Sequence, residues 1–150
     1  LSGPYSDGGI DIFGNFKGYL ILVQCKNYSD AKVSVDDIRK FEGVMSRYPN
    51  HTTIEIYITF DTDGYSRNTT IRAETSKFNI LLTNVSSMKP DIINYVFEKL
   101  NNAFDNSEER IIDEIICKIE KKFDMLNEKV DMINETQKTL TRKMEIYQSR

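Results

Sequence analysis

Two residues of this chain are best placed for chemistry: Asp11, flanked by isoleucines, and Lys26, which ends an apolar run. Hydrolysis of a phosphodiester needs a carboxylate to hold a divalent cation beside the scissile phosphate. It also needs a side-chain cation to polarise that phosphate or to position the attacking water. Asp11 lies in Asp7-Gly8-Gly9-Ile10-Asp11-Ile12, and a strand between two isoleucines gives its charge little other purpose. Lys26 closes Val23-Gln24-Cys25-Lys26, and Gln24 lies two residues earlier on the same strand face. If the two segments pair, Asp11, Gln24 and Lys26 converge at one sheet edge. The competing explanation is a structural ion pair between Asp11 and Lys26 at a strand end.

The elements that must position these residues alternate between strand and helix. Ile10–Phe13 reads as a short strand, and Tyr19–Lys26 as a central one, since Leu20 and Leu22 oppose Ile21 and Val23. Asn15 and Gly18 fall in the link between them, so the two form a hairpin. Ser34 is an N-cap with Asp37 three residues on, opening a helix whose buried stripe is Val35, Ile38, Phe41, Met45 and Tyr48. Pro49-Asn50 ends it. Thr53–Phe60 alternates, with Ile54, Ile56, Ile58 and Phe60 inward. After the turn Asp61-Thr62-Asp63-Gly64, Ser66–Phe78 reads as a helix and Ile80–Thr83 as a strand. The order β-β-α-β-α-β implies an α/β sheet of mixed direction.

Past Pro90 the pattern is helical throughout. Asp91–Phe104 carries Ile92, Tyr95, Val96, Leu100 and Ala103 on one side. From Ser107 onward neither Gly nor Pro occurs. Ile112, Ile116, Ile119, Phe123, Leu126, Val130, Ile133, Gln137, Leu140, Met144 and Tyr147 alternate four and three apart. That is a heptad seam, which predicts a coiled coil; the plainer alternative is a long helix packed on its own domain. The reading divides the chain into 1–90, a connecting helix at 91–106 and a coil at 107–150, with a homodimer formed through residues 112–147.

Composition narrows the function classes. The 150 residues carry a formal charge of -3, with 39% apolar and 29% charged residues. Residues 1–90 hold ten basic and ten acidic residues, so the acidity belongs to the C-terminal part. A strongly basic nucleic-acid binder is excluded for the whole chain, but not local cations facing a polyanion. No run of about 18 apolar residues could span a membrane. Cys25 and Cys117 lack metal-type spacing and read as reduced thiols of an intracellular protein, its compartment unspecified. The start at Leu1 suggests a fragment. His51, the single histidine, falls in a turn, which argues against histidine-based hydrolysis and a histidine-ligated zinc. No phosphate-binding glycine loop points to a nucleotide cofactor. Arg67, Arg72 and Lys77 could touch DNA phosphates, although a solvated helix face explains them more readily.

Gly8-Gly9-Ile10-Asp11, followed by a strand ending Gln24-Cys25-Lys26, resembles the Mrr-like (type IV) restriction endonucleases, a branch of the PD-(D/E)xK nuclease superfamily. The likeness runs through Val33-Ser34, the helix Asp37–Met45, the strand ending Thr59, the helix with Ala73 and the strand Asn79–Thr83. It implies a restriction-endonuclease-like mixed sheet flanked by helices, followed here by the long coiled-coil helix, and cleavage of DNA phosphodiesters. Asp11 would be the metal carboxylate and the Cys25 backbone carbonyl a further ligand, with Mg²⁺ or Mn²⁺ as the ion. Lys26 would contact the phosphate or attacking water, and Gln24 would stand where other branches have Asp or Glu. Asp7 is a candidate outer group of the same site. Relatives place one more acidic residue on a helix before the Gly-Gly-Ile-Asp strand. Here Leu1–Ser6 contains no Asp or Glu, so the expected core lacks its first helix. The alternative to a nuclease is an inactive nuclease-fold scaffold, or a DNA-binding or self-association module.

Overall fold

The computed structural model describes residues 9–27, 31–100 and 106–149. Four strands, β1 (Ile12–Phe16), β2 (Tyr19–Lys26), β3 (Thr53–Thr59) and β4 (Asn79–Asn84), form one sheet in the order β1-β2-β3-β4. β1 runs antiparallel to β2, whereas β2, β3 and β4 are mutually parallel. The sheet is therefore mixed, as the element order implies. Helices α1 (Val35–Met45) and α2 (Arg67–Glu74) make the two parallel crossovers. α3 (Met88–Leu100) and α4 (Asn106–Gln148) follow the last strand.

The hairpin turns in two residues, Lys17 and Gly18, with φ of 49° and 82°. Two successive left-handed residues match the twist of an antiparallel pair, and glycine takes the second at no steric cost. This shortens the link, so Asn15 belongs to β1 rather than to the turn. β2 is apolar on both faces because helices cover both. Leu22 packs with Ile38, Phe41, Met45 and Ala73 of α1 and α2, while Ile21 and Val23 pack with Ile92 and Val96 of α3 and Ile112 and Ile119 of α4.

Local chemistry sets the helix boundaries. Ser34 Oγ accepts from the Asp37 amide while Asp37 Oδ2 accepts from the Ser34 amide, a reciprocal cap of about 1 kcal/mol. α2 stops at Glu74, short of the expected Phe78, because Ser76 Oγ bonds instead to Glu42 and to the Phe78 amide. α3 starts at Met88, before Pro90: in the first helical turn a missing N–H costs nothing. Ala103 and Phe104, expected to extend it, lie outside the described residues.

Two strand expectations change. Every residue of β3 is buried, because it is central and covered on both faces, so Glu55 and Tyr57 are as enclosed as Ile54, Ile56 and Ile58. Phe60 lies past the strand and is 44% exposed, its ring 6.1 Å from that of Phe123.

α4 is one helix of 43 residues, about 65 Å long. Its first half buries Ile112, Ile115, Ile116, Ile119 and Phe123 against the sheet, each contributing on the order of 2 kcal/mol. Over that half, the seam read as intermolecular serves its own domain. From Val130 to Tyr147 the seam residues Val130, Ile133, Leu140, Met144 and Tyr147 are exposed.

Candidate active site

Asp11 immediately precedes β1 instead of lying within it. Ile10 joins the α1/α2 core and Ile12 the α3/α4 core. Alternate residues of a regular strand share a face, so the chain crosses between faces at Asp11. Its side chain is thereby directed at the edge of β2. The Asp11 amide donates to the Val23 carbonyl at 2.8 Å, and Oδ2 accepts the Cys25 amide at 2.7 Å. The carboxylate thus continues the ladder where the β1 backbone has left it.

Cys25 is flanked by Gln24 and Lys26, whose side chains share the opposite face of β2. The strand end therefore carries Asp11, Gln24 and Lys26 around a single peptide amide. Gln24 is buried, and Lys26 is half-buried in register with Thr59 of β3. Gly9 supports Gln24 by close approach: with φ of 86°, a Cβ there would sit 2.5 Å from Gln24 Nε2. The second glycine of the Gly-Gly lead-in is thus demanded by its conformation, and any side chain there would also push the Gln24 amide aside. Asp7 and Gly8 lie outside the described residues.

Burial, then the neighbouring Asp11 carboxylate, pushes the Cys25 thiol up to about 12 against a smaller opposing effect of Lys122. A thiol raised this far is a poor nucleophile. The oxygen donors at this strand end are the Asp11 carboxylate, the Gln24 side-chain amide and backbone carbonyls. A strand residue directs its N–H and C=O to the same edge, so the Cys25 carbonyl lies on the edge that its amide shares with Asp11. This all-oxygen set fits a hard divalent cation, though with one anionic ligand. Among the described residues, no group of three or more His, Cys, Asp or Glu forms a fuller cage.

Lys122 of α4 was not anticipated. Its Nζ lies 3.2 Å from Asp11 Oδ1, although 111 positions separate the two in the chain. A nearby bond ties the same helix to the strand end, Asn27 Nδ2 donating to Asn127 Oδ1 at 2.7 Å. Of the three cations proposed for DNA, Arg72 and Lys77 line one shallow pocket beside Glu42 and Ser76. Arg67 is exposed at the start of α2, Arg72 is bonded to Glu42, and Lys77 lies beyond the helix over the Phe78 ring. His51 is exposed in a short 3-10 turn, Asn50–Thr52.

The mixed sheet flanked by helices, with Asp11 at its antiparallel edge and Gln24-Cys25-Lys26 ending the adjoining strand, agrees with a restriction-endonuclease-like fold. The chain belongs to the Mrr-type restriction endonuclease family: residues 1–88 match the family described as "Restriction endonuclease" (Mrr_cat). No curated protein and no solved structure matches it. The match stops at the beginning of α3, so α4 and its lysines lie outside it. No described helix is long and apolar enough to cross a membrane.

Proposed function

We propose that the chain is a metal-dependent endonuclease domain that hydrolyses DNA phosphodiester bonds, with residues 1–90 as the catalytic part. The observation that carries this reading is the Asp11 carboxylate bonded to the amide between Gln24 and Lys26. Asp11 and the Cys25 carbonyl would hold Mg²⁺, or Mn²⁺, with Gln24 as a neutral donor beside them. When bound, the ion supplies Lewis-acid polarisation of a phosphate oxygen and lowers the pKa of water. Lys26 neutralises a non-bridging oxygen of the scissile phosphate, or orients the water that attacks phosphorus in line with the leaving oxygen. The Cys25 amide fixes one Asp11 oxygen, so the carboxylate is oriented before substrate arrives.

Magnesium titration tests the site without relying on turnover. At a concentration a hundredfold above its Kd, the ion should add about 2.7 kcal/mol, or a rise of roughly 5–10 °C in Tm for a chain of this size. Asp11→Asn should show no rise. An unresponsive wild-type protein, or an equal rise in the variant, contradicts the assignment. Lys122 already neutralises Asp11, which favours a second reading, a nuclease fold that binds DNA without cutting. A flat titration together with retained DNA binding would select it.

We also propose that the exposed seam from Val130 to Tyr147 pairs with the same segment of a second copy. Two single-strand sites brought together could then cut both strands. Light scattering at micromolar concentration should give the dimer mass, and Leu140→Glu with Met144→Glu the monomer. A wild-type monomer sinks the pairing.

A further inference from the structure

Asp11 and Phe13 line one side of an open cleft of about 380 Å³; Lys118, Lys121, Lys122 and Met125 of α4 line the other. Positions 118, 121, 122 and 125 follow the three- and four-residue steps that place side chains on one helix face. Three ammonium groups therefore confront a single carboxylate. Lys122 engages it at 3.2 Å, while Lys118 and Lys121 are exposed and make no ion pair among the described residues. Phe13 and Met125, 47% and 53% exposed, give the cleft apolar surface at which a base could rest.

The helix is held there by the fold. Phe123 is buried in the core, the Asn27–Asn127 bond lies one turn beyond it, and Lys17 pairs with Glu108 near the helix start. The lysines are thus presented by a rigid element.

We infer that α4, outside the family-matched segment, is a phosphate-binding wall beside Asp11, on the face of β2 opposite Gln24 and Lys26: Lys118 and Lys121 bind the nucleic-acid backbone flanking the scissile bond, and Lys122 binds the phosphate brought to Asp11. This inference rests on the nuclease reading and extends it. A phosphate oxygen near Asp11 lies within reach of a lysine whose Nζ already touches that carboxylate. The ion pair then acts as a placeholder, keeping Lys122 in position until a stronger anion replaces the carboxylate as its partner. It also gives a nearly neutral core a local means of attracting DNA, without the overall positive charge such proteins usually carry.

Binding can be measured apart from catalysis, by fluorescence anisotropy on a mixed-sequence 30-base-pair duplex in EDTA at several KCl concentrations. Replacing Lys118 and Lys121 with alanine should raise Kd about tenfold in 0.1 M salt. It should also reduce the magnitude of the log Kobs against log salt slope by about 2, one phosphate being worth roughly 0.9. Replacing Lys40 and Arg47, exposed cations on and just beyond α1 across the sheet, makes the same charge change and should leave the slope intact. Circular dichroism confirms that each variant is folded. Unchanged affinity and slope in the α4 variant overturn the inference, as does an equal loss in the α1 control. If the wild-type protein still cuts DNA in either case, the nuclease reading survives. If the wild-type protein neither binds nor cuts, both fall.

Discussion

Lys26→Ala protein is expected to cut plasmid DNA at least about a hundredfold more slowly than the wild type, with its affinity for DNA nearly unchanged. Removing a single group aimed at transition-state charge commonly costs 10²–10³-fold, about 3–4 kcal/mol. Lys26 is the last residue of β2, half-buried and in register with Thr59, so its stem is held by the sheet. Its effect should therefore fall on kcat. Lys118 and Lys121, proposed to bind the flanking backbone, should instead act on binding and its salt dependence. Equal cutting by Lys26→Ala at saturating DNA would remove Lys26 from the mechanism. A pure rise in KM would make it a binding residue only.

Glu55→Leu is expected to stabilise the protein at neutral pH. Glu55 is fully buried in β3 between Leu22 and Ile80, and neither carboxyl oxygen has a hydrogen-bond partner among the described residues. Burial, with the Glu42 carboxylate adding to it, raises its pKa to about 10. Glu42 itself, despite burial that pushes it up, is held below the usual carboxylate range by Ser76 and Arg72, so it faces Glu55 as an anion. The sign follows from linkage. Below about 4.5 Glu55 is protonated folded or unfolded, and its burial carries no ionisation cost. Above that pH the unfolded chain releases a proton that the folded chain keeps, and stability is lost progressively until about pH 10. Each unit costs up to about 1.4 kcal/mol, so between pH 5 and 8 the wild type should lose on the order of 4 kcal/mol relative to Glu55→Leu. Urea denaturation of both proteins at the two pH values measures it. Parallel pH dependence would show that Glu55 is ionised or solvated in the folded state.

Glu55 also shows where sequence reading met its limit. An Ile-x-Ile-x-Ile alternation marks a strand with one buried face, and a charged letter between the isoleucines is naturally assigned to solvent. Nothing local reveals that α1 covers that other face. β2 was legible because its sequence is apolar on both sides, and the Ser34–Asp37 cap because its partners are three residues apart. Asp11, Gln24 and Lys26 were recognisable as types in a familiar order. That Asp11 sits at a crossing between faces, with its carboxylate closing the ladder, depends on the path of the backbone and leaves no periodic trace. Lys122 was invisible for a different reason: the contact spans most of the chain. A run of lysines beside a heptad seam, at three- and four-residue spacing, was the signal available. The seam misled over its first half because isoleucines that pack on a sheet and isoleucines that pack on a second helix recur at nearly the same interval. Ile119 and Ile133 are the same letter in the same pattern, one buried and the other 58% exposed.

Asp11 is the residue on which magnesium-dependent cleavage depends in the proposed mechanism. Incubating supercoiled plasmid with the wild-type protein and with Asp11→Ala, each in Mg²⁺ and in EDTA, addresses it most directly. Nicked or linear product is expected from the wild type in Mg²⁺ alone, and none from the variant under either condition. Product from a folded Asp11→Ala protein, or from the wild type in EDTA, would contradict it.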